Sequence, residues 1–214
     1  MSILGSGETG FFGICKTHSG GVDTGFMVSV GDGSKRVQRQ ILGTGKKALK
    51  EALTLRNKLV AELGVPRQTL LKIKEVRTAK DTLPLIYRRP ASLGRGRNAD
   101  ALVFALWKIP EKKMRQKALF LHHYTNADQA MNEAKKIILA NRLAYNAVAV
   151  EYNSLLEDKL RKLIDKELAS MKPLVQFSFD EKLWKQAFNT VFPKGLEDPI
   201  APSKDDHKRL KSLA

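Results

Sequence analysis

The run Lys35–Ala52, KRVQRQILGTGKKALKEA, switches from one period to another, and that switch sets the fold. Arg36–Leu42 reads as a strand, and Thr44 stands where a helix cap is expected. Beyond it Ala48, Ala52, Leu55, Leu59 and Leu63 recur at helical spacing until Gly64 closes the helix. Upstream, Gly25–Val30 alternates Phe26, Val28 and Val30 with smaller residues, the period-2 pattern of a half-buried strand. Gly31-Asp32-Gly33-Ser34 between these strands is predicted to be a tight hairpin turn, since Asp-Gly supplies the positive φ that such turns need. Gly13–His18 is a further extended run ending at Gly20-Gly21. Residues 11–64 therefore form a unit of three strands and one amphipathic helix, with one sheet face left uncovered.

If Phe26, Val28 and Val30 face the helix, Met27 and Ser29 face away, and Arg36, Gln38 and Gln40 form the outward row of the third strand. Arg and Gln read guanine and adenine edges through paired hydrogen bonds. The order of elements, with Phe11-Phe12-Gly13-Ile14, Phe26–Val30, Leu42-Gly43-Thr44 and Lys47–Ala52, resembles the ethylene-response-factor (apetala-two) type DNA-binding domain. Plant transcription factors, phage integrases and homing endonucleases share that domain. The resemblance implies a three-stranded sheet lying in the major groove, with Cys15, Thr17, Ser29, Arg36, Gln38 and Gln40 towards the bases. Lys16, His18, Lys35 and Arg39 join them as candidate DNA contacts on the same strands. The family's strand Arg and Trp positions fall here on Cys15, Thr17 and Gln38, which implies a different base code.

Charge points to the same class of partner. The 214 residues carry a net charge of +16, which suits a polyanion, nucleic acid before an acidic membrane surface. The excess is uneven: residues 65–124 hold 14 basic and 4 acidic side chains, so this stretch supplies +10 of the +16. Hydrophobic residues make up 43% of the chain, enough for a packed core. A lone cysteine, Cys15, excludes an intrachain disulfide and a cysteine-based zinc site. No apolar run approaches the roughly 18–20 residues of a membrane span, and Met1–Gly10 lacks a signal pattern. A cytoplasmic or nucleoid-associated protein is the expectation.

Around the first unit, residues 1–10 read as a flexible arm without basic residues, and 65–82 as a basic linker. Residues 83–147 are predicted to be a second, diverged copy. Leu85–Arg89, Leu102–Trp107 and Lys117–Tyr124 would be its strands, and Thr125 or Asn126 would cap the following helix. A shift of 82 lays Asp128–Ala134 over Lys46–Ala52. The alternation of this copy would expose Phe104, Leu106 and Phe120. Its basic residues, Arg88, Arg89, Arg95, Arg97, Lys108, Lys112, Lys113, Arg115 and Lys117, are expected in or beside loops, where they would clamp phosphates without choosing bases. Thr125–Met171 has no proline and is predicted to be one helix of about 45 residues, far above the usual length, or two with a break near Ala147–Tyr152. Its stripe of Ala134, Ile137, Ile138, Ala144, Val148, Tyr152, Leu155, Leu156, Leu160, Leu163 and Ile164 must be buried. Residues 148–192 are accordingly expected to form a helical dimerisation region, with Asp180 capping a short helix. Residues 193–214 read as a polar tail.

An enzyme is not expected. His122-His123 invites a metal-nuclease reading, but no helical His follows, and two adjacent residues on a strand would point to opposite faces. No acidic pair sits in the basic region where a two-metal nuclease would need it. No cofactor or metal is expected. The fold class is α+β, two small three-stranded antiparallel sheet-plus-helix units followed by a long helical region. The function is sequence-specific binding of double-stranded DNA as a homodimer, in a repressor or regulator of phage or mobile-element type. The alternatives are a homing-endonuclease remnant, an RNA-binding or ribosome-associated protein (for which Phe104 and Phe120 would be exposed for stacking) and a purely structural dimer.

Overall fold

The computed structural model describes residues 9–31, 35–65, 70–73, 86–91, 99–176 and 178–196. The α+β expectation holds. Strands β1 (Ile14–Ser19), β2 (Val22–Val30) and β3 (Val37–Leu42) pair antiparallel in that order and lead into helix α1 (Lys46–Leu63). Phe26, Val28 and Val30 are buried with Phe11, Phe12 and Ile14, as their alternation predicts. The predicted turn at Asp32-Gly33-Ser34 lies outside the described residues. At the other end of β2, a Cβ on Gly25 would lie 2.1 Å from the Ile41 carbonyl oxygen, so only glycine lets β2 and β3 approach this closely.

Two details of α1 differ from expectation. Its N-cap is Gly45, which has no side chain to donate to the task, rather than Thr44. Gly43 and Gly45, with φ of 94° and 115°, make the strand-to-helix corner and carry the chain past Thr44 before the helix begins. The buried face is also rotated. Ala52, Leu53, Arg56, Leu59 and Val60 are buried, while Leu63 is exposed. The arginine in that set has a partner far along the chain. Arg56 Nη1 meets Glu167 Oε2 at 2.5 Å, both side chains being fully enclosed. Arg56 Nη2 also donates to the Ile164 carbonyl, and Asn57 Nδ2 donates to the same oxygen and to Asp165. Glu167 Oε1 accepts from the backbone N–H groups of Leu174 and Val175 at 2.6 and 2.9 Å.

The second sheet is β4 (Ile86–Arg89), β5 (Ala101–Lys108) and β6 (Lys113–Phe120), again antiparallel and in chain order. A 3-10 turn, Ile109–Glu111, and left-handed Lys112 (φ 48°) join β5 to β6, and a second 3-10 turn, Leu121–His123, follows β6. The third strand thus lies earlier than the predicted Lys117–Tyr124. The predicted loop Lys108–Gln116 is mostly paired strand, since Ile-Pro-Glu closes the hairpin within a few residues. The shift of 82 therefore fits the helix onsets but not the third strands. Phe104 and Leu106 are buried, Phe104 to 1%, in a core with Leu119, Ala134, Ile137 and Ile138, which corrects their predicted exposure. The faces run one residue out of step with the reading from the sequence. Phe120 is exposed as expected.

Helix α2 (Ala127–Ser170) is continuous for 44 residues, with no break at Ala147–Tyr152. Asn126 caps it: its Oδ1 accepts from the Gln129 N–H at 2.8 Å. Helix α3 (Glu181–Val191) is capped by Asp180, as predicted, through the N–H groups of Lys182 and Leu183. The chain divides into two compact units, Met1–Lys72 with Val150–Trp184, and Ile73–Ala149 with Lys185–Ala214. This corrects the expected separate dimerisation region at 148–192. Tyr152, Leu156, Leu160 and Ile164 are buried within the first unit, where Tyr152 stacks on Phe179 at 5.4 Å and meets Trp184 edge-on at 5.9 Å. Their stripe is covered by the chain's own residues, not left for a second copy. Among the described residues no helix is long and apolar enough to cross a membrane.

Candidate nucleic-acid interface

Side chains directly opposite one another in an antiparallel pair share a face, so register alone defines the outward row of the first sheet. Cys15 faces Met27, which faces Gln40. Thr17 faces Gly25, which faces Leu42, and Ser29 faces Gln38. The predicted readers Cys15, Thr17, Ser29, Gln38 and Gln40 are thus brought together on one face. Arg36 joins them: its Nε donates to Ser29 Oγ at 2.8 Å. That bond holds the guanidinium against the central strand, near its end. Gln38 and Gln40 are exposed, so their amides can each offer a donor and an acceptor to an adenine edge. Three strands span about 10 Å, which suits a major groove about 12 Å wide.

Lys16 and Arg39 fall on the other side. Register sets Lys16 opposite Phe26 and Arg39 opposite Val28, the helix-facing rows. Lys16 pairs with Asp23 at 2.7 Å, and His18 Nδ1 meets the same carboxylate at 2.8 Å. The hydrogen bond from Lys16 is the main reason that the Asp23 carboxyl is held below its ordinary value. Lys16, His18 and Asp23 thus engage one another rather than joining the outward row. Leu42, 77% exposed, was missed in the sequence. The alternation through Gln38 and Gln40 reaches it, but the outward row read from the sequence ends at Gln40. On the outward face it suits a thymine methyl.

The basic residues of the second sheet disperse. Arg88 makes a two-pronged contact with Asp100 Oδ2, at 3.2 Å from Nε and 2.5 Å from Nη2. Asp100 also accepts from the Ala91 N–H, the first reason its carboxyl is held low, with Arg88 the second. Arg89 sits on the opposite face, in the row of Ala101 and Phe120. Arg95 and Arg97 lie outside the described residues. Lys108 and Lys113 are cross-strand partners, a like-charge pair that disfavours the hairpin unless an anion relieves it. Glu111 provides one such anion, by an ion pair to Lys108. Lys112 follows in the turn, where partial burial pushes its ammonium down. Arg115 and Lys117 are strand residues opposite Leu106 and Phe104, not loop residues.

His122 and His123 do not sit on a strand. In the 3-10 turn their ring centroids are 4.0 Å apart, and Phe120 lies 5.8 and 6.2 Å from them. The two rings therefore lie together rather than on opposite faces as expected, because a turn replaces the expected strand. Among the described residues no group of three or more His, Cys, Asp or Glu side chains could hold a metal ion. Comparisons with protein-family models, with curated proteins and with solved structures return no match. The case for a function rests on the geometry of the chain itself.

Proposed function

We propose that this chain is a sequence-specific double-stranded DNA-binding protein that reads the major groove with the outward face of β1–β3. The observation that carries the reading is the cross-strand row of Cys15, Met27 and Gln40, beside Ser29 and Gln38, with Arg36 tethered to Ser29. A face bearing an arginine, two exposed glutamines and an exposed leucine, in a chain of net charge +16, offers donors, acceptors and an apolar contact to base edges. The resemblance to the ethylene-response-factor type domain supports the same docking, and a regulatory role follows as its simplest use. The like-charge Lys108–Lys113 pair would hold backbone phosphate, adding affinity and salt dependence. A homodimer keeps a place in the proposal through Leu139, Leu143 and Val150, exposed on α2, since Tyr152, Leu156, Leu160 and Ile164 of the stripe expected to pair are buried within the chain.

Selection of bound sequences from a random duplex pool tests this reading. A discrete enriched motif is the expected outcome. A pool that stays random, while affinity falls steeply with salt, would leave only charge-driven binding.

A further inference from the structure

The outward face of the first sheet has two unlike ends. At one, Arg36 is tethered to Ser29, and Gln38 stands opposite Ser29. At the other, Thr17, Gly25 and Leu42 share a row. Between Thr17 and His18 the register of β1 and β2 shifts, with Thr24 as the extra residue of β2. β1 takes no extra residue there, so its own alternation carries Ser19, and Val22 opposite it, onto the face of Thr17. Leu42 and Val22, at 77% and 67%, are the most exposed large hydrophobic residues among those described. Register brings both to this end, and Gly25, without a side chain, leaves the flank of Leu42 open. The Thr24 hydroxyl donates to the Thr17 carbonyl and meets the Thr17 hydroxyl, each at 3.1 Å, so both hydroxyls have partners within the chain. Lys16, His18 and Asp23 pair with one another on the opposite side of the sheet. This end is therefore apolar, while the other is polar and cationic.

Base pairs differ in the same way along a major groove. Every base offers donors or acceptors there, and thymine alone adds an apolar group, its C5-methyl. An apolar side chain gains free energy by covering a methyl group, and none by covering a bare acceptor. Ser29 and Gly25 are four residues apart on β2, roughly 14 Å, whereas successive nucleotides of one DNA strand lie about 3.4 Å apart along the duplex. The two ends of the face thus address base pairs several steps apart. We propose that the recognised site is directional: a guanine lies at the Arg36 end, and thymine C5-methyl groups lie against Leu42 and Val22 at the other. The inference rests on the duplex reading proposed above, and adds to it the polarity of the site and the residues that set it.

The test is fluorescence anisotropy of the full chain with the enriched duplex and with versions in which each thymine in turn is replaced by deoxyuridine. Deoxyuridine pairs as thymine does but lacks the methyl group. For wild type, replacement at thymines of one end of the motif should weaken binding roughly fourfold per methyl. Leu42→Ala and Val22→Ala should each erase that penalty at a thymine, binding the two duplexes alike. Arg36→Ala should keep the penalty and instead relax discrimination at a G·C pair of the opposite end. All three residues are exposed, so the unfolding midpoints of their variants should match wild type, separating lost reading from lost fold. A motif without thymine, or deoxyuridine duplexes bound as tightly as the parent, would overturn the methyl reading; relaxed discrimination in Gln38→Ala would then show that base reading itself stands. A penalty that persists in both Leu42→Ala and Val22→Ala would overturn these residues as the readers. A guanine read by Arg36 directly beside the methyl-read thymine would overturn the polarity. A pool that yields no motif would sink this inference together with the duplex reading.

Discussion

Arg56 and Glu167 are the residues on which the first unit turns. Burial favours the neutral guanidinium of Arg56, and its hydrogen bond to the Glu167 carboxylate is the main effect that opposes it. Two enclosed charges are tolerated because each is fully engaged: Arg56 bonds to Glu167, Asn57 and the carbonyls of Phe12 and Ile164, and Glu167 to two backbone N–H groups. Removing one partner strands the other charge, so Glu167→Ala should destabilise the protein by about 3–5 kcal/mol. The paired replacement Arg56→Met with Glu167→Leu, apolar and of similar volume, should cost far less. Denaturant unfolding of the two variants measures both. Equal losses for the single and double replacements would contradict this account of the pair.

At the scale of elements, α3 depends on Asp180. Its Oδ1 accepts two N–H groups of the first turn, its own N–H donates to Tyr152 Oη at 3.1 Å, and Lys159 reaches its other oxygen at 2.6 Å. The Lys159 hydrogen bond is the largest reason that the Asp180 carboxyl is held below its ordinary value. A folded value below the unfolded one means that this stabilisation is complete above the unfolded value, about 4, and is lost as pH falls through the folded value. Asp180→Asn keeps an N-cap acceptor but removes the charge. The gap in unfolding midpoint between wild type and Asp180→Asn should therefore close on acidification from about pH 6 to about pH 3. A gap that stays constant would show that the carboxylate's charge does not matter here. Elements of this kind were legible in the sequence wherever one short-range rule decided them. Asp180 and Asn126 announced their helices, and Phe26, Val28 and Val30 announced their strand face. The rest depended on contacts distant in the chain. Nothing in the sequence singles out Arg56, because its partner Glu167 lies 111 residues away. Phe104 and Leu106 sit in a run apolar at nearly every position, where alternation gives no phase. The Ile-Pro-Glu turn concealed the start of β6, and with it the true setting of His122 and His123.

At the scale of the whole chain, the boundary between its parts is not where the sequence suggested. The first sheet and α1 read as a self-contained unit over residues 11–64, yet they form one compact body with Val150–Trp184. Asn153 shows how closely that segment is joined to the first part: its amide both accepts from the Leu71 N–H and donates to the Leu71 carbonyl, at 2.8 and 2.9 Å. A fragment ending at Lys72 would lose the partner of Arg56 and the cover of its own apolar side chains. It should show no cooperative thermal unfolding, whereas the full chain should; cooperative unfolding of the fragment would contradict this assignment of the unit. The candidate site was legible in outline for the same reason the first sheet was, since a period of two fixes which side chains share a face. The same period puts Leu42 with Gln38 and Gln40 and sets Lys16 and Arg39 on the far side, whereas which residues of neighbouring strands stand beside them follows from cross-strand register, which no local pattern carries.

The central claim is that side chains on one face of β1–β3 read bases, and Gln38 tests it most directly. Its affinity for the enriched duplex, and for that duplex with single base pairs exchanged, should be measured for wild type and Gln38→Ala at several salt concentrations. The account predicts a loss of about 1–3 kcal/mol on the enriched site and relaxed discrimination at one base pair. The slope of log affinity against log salt should stay unchanged, because Gln38 neutralises no phosphate. Wild-type affinity and discrimination in Gln38→Ala would contradict base reading by this sheet.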